Sequence, residues 1–476
     1  MSKNSIFAII LSVFIAFILF SGGRFFDFSQ RLLSESLFAL FILIWAFWRL
    51  RYGLPNKASY IAFLIVGLGL GLMVLQLVPM PLYIWSGLAG RAFVASDFSL
   101  LDMKDQWLPL SLSPSMTRQD IISLLPSLAA FFAVISISKR DWPVLGWTIV
   151  GLALMSAFVG LAQRFLGQDS FFNFYHNINP VTASGFFVNR NFLAAQIYSA
   201  LPFLAVLTFH GQTHSTMMRR MLPVIALLVG AILIAGLGAT GSRMGAILLV
   251  VTLLLVIFLV FNRPQSSRTG RARISLLSII GIFVASVVIA QLLLAALLRF
   301  SATDIASDYR STVFEGSVTT LKAFFPVGSG FGSFVPAYML FEKPDVMIEA
   351  YVNHAHNDWL ELLIEGGLPM ALLLLAFISW FVVVTISAWS KSANSLYSKA
   401  ASISIAMLLL HSLVDYPLRT PALMAMLGLF CGILALHRVE DNSKASGPQK
   451  RQPSQINNLP VNFKPSSRGF SKRTDS

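Results

Sequence analysis

The sequence is poor in charge and has almost no cysteine. Only 12% of its 476 residues are charged, and 56% are hydrophobic. A soluble protein of this size carries roughly 25% charged residues. The one cysteine, Cys431, cannot form an internal disulfide, so no disulfide joins two loops of the chain. These shortages exclude a soluble globular domain and favour a protein whose solvent is the lipid bilayer.

About twelve apolar runs are long enough to cross a bilayer as helices. They are continuous rather than alternating, so we expect an all-α polytopic membrane protein and not a β-barrel. The first run, which follows Lys3, ends without a small-residue cleavage site and is interpreted as a retained span rather than a signal peptide. The predicted spans are residues 5–21, 32–48, 58–78, 121–138, 143–163, 189–209, 221–238, 243–261, 275–298, 362–388, 400–414 and 420–437.

The net charge of +14 predicts topology rather than nucleic-acid binding. Lys and Arg gather in alternate connections and in the tail 438–476, and such segments are cytoplasmic in membrane proteins. We therefore expect a multi-pass protein of the bacterial inner membrane with both termini in the cytoplasm. The long connections 79–120, 164–188 and 299–361 then lie outside. The basic tail is predicted to be disordered and to contact membrane lipids.

Candidate catalytic residues lie in the longest outer connection. His354 and His356 stand two residues apart there, and histidine is the side chain best suited to accept a proton near neutral pH. A polar loop or a helix cap is the alternative interpretation of the pair. A metal site is a weaker one, because no further set of ligands stands nearby, and we expect neither a metal nor a cofactor. The glycines of 328–332 fit either a turn or a backbone approach to a ligand.

Three arginines are expected at the same outer face. Arg190 and Arg243 each begin an apolar span, where a charge is costly unless an anion pairs with it, and Arg310 lies in the outer connection. Snorkelling of the side chain to the interface is the alternative for Arg190. Guanidinium groups bind phosphate oxygens bidentately, and a nearby histidine can take a proton from an attacking hydroxyl. This combination suits a polyprenyl-diphosphate-linked substrate in the outer leaflet.

Several stretches resemble, in the same order, the O-antigen ligase and polymerase superfamily of bacterial membrane glycosyltransferases. The most specific is His356-Asn357-x-x-Leu360 followed by Glu365-x-Gly367. The similar region runs from about residue 185 to 437, whereas the chain before it matches only as a set of spans. Residues 411–421 are similar chiefly to exopolysaccharide-type members and favour a polymerase over a ligase. The matching stretches are 185–194, 241–245, 309–310, 325–334 and 354–368.

The resemblance implies an enzyme that transfers a glycan from undecaprenyl diphosphate on the periplasmic face, without a metal or a nucleotide sugar. Ligases deliver the glycan to lipid A–core, and O-antigen or exopolysaccharide polymerases deliver it to another lipid-linked repeat unit. The implied catalytic base is His356, with His354 as its substitute if the alignment shifts by two. Arg243 and Arg310 are implied to bind the diphosphate, and Arg190 is a further candidate. A chain-length regulator protein is a candidate partner.

A transporter or flippase of lipid-linked glycan is the rival interpretation. Such a protein is expected to show two similar halves or paired broken helices at mid-membrane, and neither pattern is present. A non-catalytic partner of a polysaccharide export machine is a third interpretation. The predicted organisation is N-terminal transmembrane helices in 1–184, an O-antigen ligase-like membrane domain in 185–437 that includes a periplasmic loop at 299–361 with short helices, and the tail 438–476.

Overall fold

The computed structural model describes residues 3–20, 28–52, 60–103, 105–167, 170–174, 182–210, 216–261, 305–343, 351–390 and 396–437. The predicted span 275–298 and the predicted tail 438–476 lie outside these residues. Within the described residues the chain is helical, with one small sheet, and five helices are long and apolar enough to cross a membrane. The all-α membrane class is therefore confirmed, while the number of about twelve spans stays a prediction. The five are Lys139–Leu166, Arg190–Thr208, Met221–Thr240, Arg243–Phe261 and Asp358–Ser390.

The first half of the chain forms helices, and the connection between Leu75 and Pro114 contains a two-stranded antiparallel sheet. Met80 pairs with Leu108 in this sheet. The elements are α1 (Lys3–Phe20), α2 (Phe28–Tyr52), α3 (Tyr60–Leu75), β1 (Pro79–Pro81), α4 (Leu82–Trp85), α5 (Ala92–Leu100), β2 (Trp107–Pro109), α6 (Pro114–Ser123), α7 (Leu125–Val134) and α8 (Trp142–Leu166).

The second half contains the helices that carry the sequence motifs. They are α9 (Arg190–His210), α10 (Thr216–Thr240), α11 (Arg243–Phe261), α12 (Ile305–Phe324), α13 (Phe334–Met339), α14 (Asp358–Ser390), α15 (Leu396–His411) and α16 (Pro421–Ala435). Within the predicted periplasmic loop, α13 has six residues, but α12 has 20.

Two boundaries differ from the sequence prediction for a local reason. The predicted span 121–138 is divided between α6 and α7, and Pro126 stands in the first turn of α7, where a missing N–H costs nothing. The start of α14 is a separate helical arm of residues 358–366. It ends at Gly367, whose φ of 59° is outside the helical region.

Helix α9 lies in the interior and packs against α8, α10, α11 and α15. Small residues allow the close approach, as is usual between membrane helices. A Cβ on Gly245 of α11 would lie 2.6 Å from the Cβ of Ala194. Ser404 of α15 donates from Oγ to the Ser199 carbonyl at 2.8 Å. These contacts hold the starts of α9 and α11 side by side.

The starts of α9, α11 and α14 meet at one end of the bundle, here named the site end. The Asp358 N–H donates to the Ser412 carbonyl at 2.9 Å, and Asn191 donates from its side chain to Asp415. Helix α8 finishes at this end, because Gln163 in its last turns donates to the Gly185 carbonyl at 2.9 Å. Its first turn and the 3-10 turn Lys139–Asp141 are therefore at the opposite end.

Candidate active site

The histidine run is a fixed turn that leads into α14. His356 has a φ of 51°, in the left-handed region, which costs a residue other than glycine about 1–3 kcal/mol. The next residue, Asn357, caps the helix, since its Oδ1 accepts the Leu360 N–H at 3.0 Å. The capping role that was open for the histidines therefore belongs to Asn357.

His356 faces a buried carboxylate. Its Nδ1 lies 3.6 Å from Oδ1 of Asp415, which is longer than a hydrogen bond, and this nitrogen makes no hydrogen bond within the described residues. Asp415 accepts the Tyr416 N–H at 3.0 Å and the side chain of Asn191. Burial acts to raise the pKa of Asp415, but His356, His411 and Arg310 outweigh it and bring this pKa below its ordinary value. Asp415 is therefore an anion at neutral pH.

His354 is bonded to a second buried carboxylate. Its Nδ1 lies 2.9 Å from Oε1 of Glu361, whose Oε2 accepts the Ala355 N–H at 2.9 Å. An ionised carboxylate only accepts hydrogen bonds, so the neutral His354 ring carries its proton on Nδ1. The same hydrogen bond leaves a lone pair on Nε2.

Arg419 sits among four carboxylates. Its Nη2 lies 2.9 Å from Glu365 and 3.2 Å from Glu361, its Nη1 lies 3.5 Å from Asp120, and its Nε lies 3.9 Å from Asp358. Burial acts to lower the pKa of Arg419, but these four acids outweigh it and raise the pKa well above its ordinary value. The cluster joins α6, the first arm of α14 and the connection before α16.

Tyr416 contacts both histidines. Its ring centroid lies 4.4 Å from that of His354 and 5.0 Å from that of His356. On its other side Phe192 packs edge-on at 5.6 Å. Burial is the largest cause of a raised pKa at Tyr416, so its phenol stays neutral. The two imidazoles are thus neighbours of one ring.

The glycine-rich stretch is a buried turn. Gly328, Gly330 and Gly332 have φ of 87°, 105° and 74°. A Cβ on Gly328 would lie 2.5 Å from the Glu365 carbonyl oxygen, and one on Gly330 would lie 2.5 Å from Cα of Ser111. The close approach is therefore to the protein's own backbone, which decides between the two interpretations that the sequence left open.

Two residues outside the motifs hold this turn. Gln76 donates to the Glu365 carbonyl at 3.0 Å and accepts the Phe331 N–H at 2.8 Å. The fully buried Arg91 donates to the Gly328 carbonyl at 2.9 Å, and burial lowers its pKa to about 10. The connection between α3 and α6 therefore holds the glycine turn beneath the site.

The three predicted arginines occupy different positions at the site end. Arg190 and Arg243 are half-buried at the first positions of α9 and α11. Arg310 is exposed on α12, and its charge helps to lower the pKa of Asp415. A helix start carries partial positive charge. At the starts of α9 and α11 this charge adds to that of the Arg190 and Arg243 guanidinium groups.

The structure thus brings His354, His356 and Arg310 to the surroundings of Asp415, a residue that the sequence interpretation missed as part of the site. It also missed Glu361, Glu365 and Arg419. One signal was present, because Asp358, Glu361 and Glu365 have spacings of three and four residues, which place acids on one helix face. Another was the stretch 411–421, which contains Asp415 and Arg419.

The described residues form an all-α membrane protein with two histidine–carboxylate pairs at the end of the bundle where Arg190 and Arg243 begin their helices. A family model described as O-Antigen ligase matches residues 228–375, a region that contains Arg243, Arg310, His354 and His356. The match covers about a third of the chain, and it supports the resemblance of the motifs to the O-antigen ligase and polymerase superfamily. A search of curated proteins finds no match to the chain.

Proposed function

We propose that the protein is a multi-pass enzyme of the bacterial inner membrane that transfers a glycan from undecaprenyl diphosphate to an acceptor hydroxyl on the periplasmic face. One observation carries the proposal. His356, which belongs to the matched region, lies 3.6 Å from the anionic Asp415, at the end of the bundle where Arg190 and Arg243 begin their helices. A base beside a binding region for anions is what this reaction requires.

The diphosphate binds, in this proposal, to Arg190, Arg243 and Arg310. Helix starts leave backbone N–H groups without intrahelical partners, and together with the macrodipole they bind phosphate. Guanidinium groups remain charged and match phosphate oxygens bidentately. These groups stabilise the negative charge that develops on the leaving diphosphate, and the mechanism needs no metal for that purpose.

His356 acts as the general base. The acceptor oxygen bonds to the anomeric carbon while the bond from that carbon to the diphosphate oxygen breaks. The electron pair leaves with undecaprenyl diphosphate, and the hydroxyl proton passes to His356. Asp415 orients the ring and stabilises its protonated form, and the 3.6 Å contact shortens once substrate is bound. A direct displacement inverts the anomeric configuration.

The distribution of charge supports a periplasmic site. The end opposite to the site has Lys139 and Arg140 in the turn before α8, and Arg219 and Arg220 follow shortly after the start of α10. Positive residues mark the cytoplasmic side of a membrane protein, so the site end faces the periplasm. The acceptor is then lipid A–core or a lipid-linked repeat unit, and a chain-length regulator protein is a candidate partner.

The test is complementation of a deletion strain with wild type, His356→Ala or His437→Ala, a histidine that follows α16 at the opposite end. His356→Ala is expected to abolish transfer at equal expression, because no group remains to take the proton. Accumulation of long glycan on undecaprenyl diphosphate with bare lipid A–core identifies a ligase, and accumulation of single repeat units identifies a polymerase. Wild-type products from His356→Ala would contradict the proposal.

A further inference from the structure

His354 belongs to a network that the transfer step through His356 does not use. The network runs from His354 Nδ1 to Glu361 at 2.9 Å, and from the same Glu361 oxygen to Arg419 at 3.2 Å. The side chain of His354 is 27% exposed, whereas that of Glu361 is only 2% exposed. The anchored nitrogen is therefore the inner one, while the histidine itself is accessible.

The hydrogen bond to Glu361 decides what the other nitrogen of His354 can bind. With the proton on Nδ1, Nε2 is an acceptor and needs a donor such as a hydroxyl. Among the described residues no hydrogen bond of Nε2 is seen, so this acceptor is available to a ligand.

The charge around the network selects against an anion. Four acidic side chains lie within 3.9 Å of the single Arg419 guanidinium, and one of them, Glu361, contacts His354 directly, so acids outnumber cations beside this histidine. A phosphate oxygen is an acceptor and an anion, and it meets an acceptor and a negative potential at His354. A sugar hydroxyl is neutral and can donate a hydrogen bond. It therefore suits both the acceptor nitrogen of His354 and the acidic side chains around it.

The site is also close enough to the base to hold the same sugar. His354 and His356 both pack on the Tyr416 ring, with centroids 4.4 Å and 5.0 Å from it. One sugar is therefore large enough to place a hydroxyl at His356 and another at His354.

Resting on the proposed function, we infer that His354 Nε2 binds a hydroxyl of the acceptor glycan, and that Glu361 and Arg419 are positioning residues that hold the imidazole for this purpose. The inference assigns the arginines to the donor diphosphate, and it assigns His354 with its carboxylate network to the hydroxyls of the acceptor. It assigns to His354 the binding of acceptor and not the removal of its proton.

The test compares His354→Asn with His354→Gln in the purified full-length protein in nanodiscs. The substrates are the undecaprenyl-diphosphate-linked glycan and the acceptor glycolipid extracted from the deletion strain. An Asn amide nitrogen replaces Nδ1 and keeps the bond to Glu361, but it leaves nothing at the position of Nε2. We expect the acceptor KM of His354→Asn to rise about five- to tenfold, the loss of one hydrogen bond, with little change in kcat or donor KM.

His354→Gln is expected to show a smaller rise, because its amide oxygen can accept a hydroxyl near the position of Nε2. An unchanged acceptor KM in His354→Asn would overturn the inference. Loss of kcat at constant acceptor KM would also overturn it, since His354 would then be the base.

The positioning role is tested by Arg419→Lys, which keeps the charge but loses the fork that reaches Glu361 and Glu365. A raised acceptor KM with kcat retained supports the role, and this readout remains informative if His354→Asn lowers the melting temperature. Wild-type acceptor KM in Arg419→Lys would overturn the positioning role. His356→Ala is run beside these variants. If it is inactive while His354→Asn is wild type, only the acceptor site fails. If His356→Ala is active, the proposed function fails as well.

Discussion

The two histidine–carboxylate pairs of the site differ in how firmly they are held. His354 is hydrogen-bonded at 2.9 Å to Glu361, which Arg419 holds in turn. His356 stands on a left-handed backbone at 3.6 Å from Asp415. A residue that only binds a hydroxyl binds more tightly when its side chain is already held in place, because no conformational entropy is then lost on binding. A base changes charge in each turnover, and its carboxylate contact can tighten when the substrate arrives.

The largest effect on transfer is expected when the negative charge of the His356–Asp415 pair is removed. Asp415→Asn keeps the size of the side chain but removes the anion that orients His356 and stabilises its protonated form. Transfer should fall about 10³- to 10⁴-fold, as in other histidine–carboxylate pairs, with little change in donor KM. The measurement is the initial rate of transfer in nanodiscs. Asp97→Asn, an exposed acid of α5, is the control, and an Asp415→Asn rate within tenfold of wild type would contradict the pairing.

Disrupting the network that holds the His354–Glu361 pair should lower the stability of the fold. Arg419→Met leaves Glu361, Glu365 and Asp358 buried without a cation, and breaking a buried ion pair costs about 3–5 kcal/mol. We expect a clearly lower melting temperature in detergent. Lys343→Met is the matched control, because its pair with Glu315 at 3.9 Å is exposed on both sides and adds little. Equal melting temperatures for the two variants would show that the cluster does not stabilise the fold.

The smallest effect on transfer is expected from a substitution in the glycine-rich turn that contacts Glu365. Gly330→Ala places a methyl group 2.5 Å from Cα and Cβ of Ser111, at a φ of 105°. This φ alone costs a residue other than glycine about 1–3 kcal/mol, and the overlap with Ser111 adds to that cost, so both the melting temperature and the transfer rate should fall. Gly71→Ala in α3 is the control, because nothing lies within 4 Å of its added Cβ. If Gly330→Ala behaves like Gly71→Ala, the turn is not packed as described.

The membrane class and the resemblance to O-antigen ligases could be predicted from the sequence because they depend on local signals. Apolar runs determine helices by length alone, and the motif at His356 is contiguous. Arg190 and Arg243 were correctly expected at helix starts, since each precedes an apolar run without interruption. The roles of these residues as binding groups remain predictions.

The pairings within the site could not be predicted, because they join residues far apart in the chain. Asp415 meets His356 only after α14 and α15 have packed together, and Arg419 meets Asp120 across 299 positions of sequence. The glycine turn was ambiguous for the same reason. Its neighbours Ser111 and Glu365 come from separate segments, and nothing in the turn itself indicates whether a ligand or the protein approaches it.

The most direct test of the account applies one substitution to both histidines. Asn tolerates the left-handed backbone better than most residues, so His356→Asn keeps the turn while it removes the base. Transfer kinetics of the purified protein should show His356→Asn without measurable kcat, and His354→Asn with near-normal kcat and a raised acceptor KM. Transfer by His356→Asn at the wild-type rate would contradict the central claim that this histidine takes the acceptor proton.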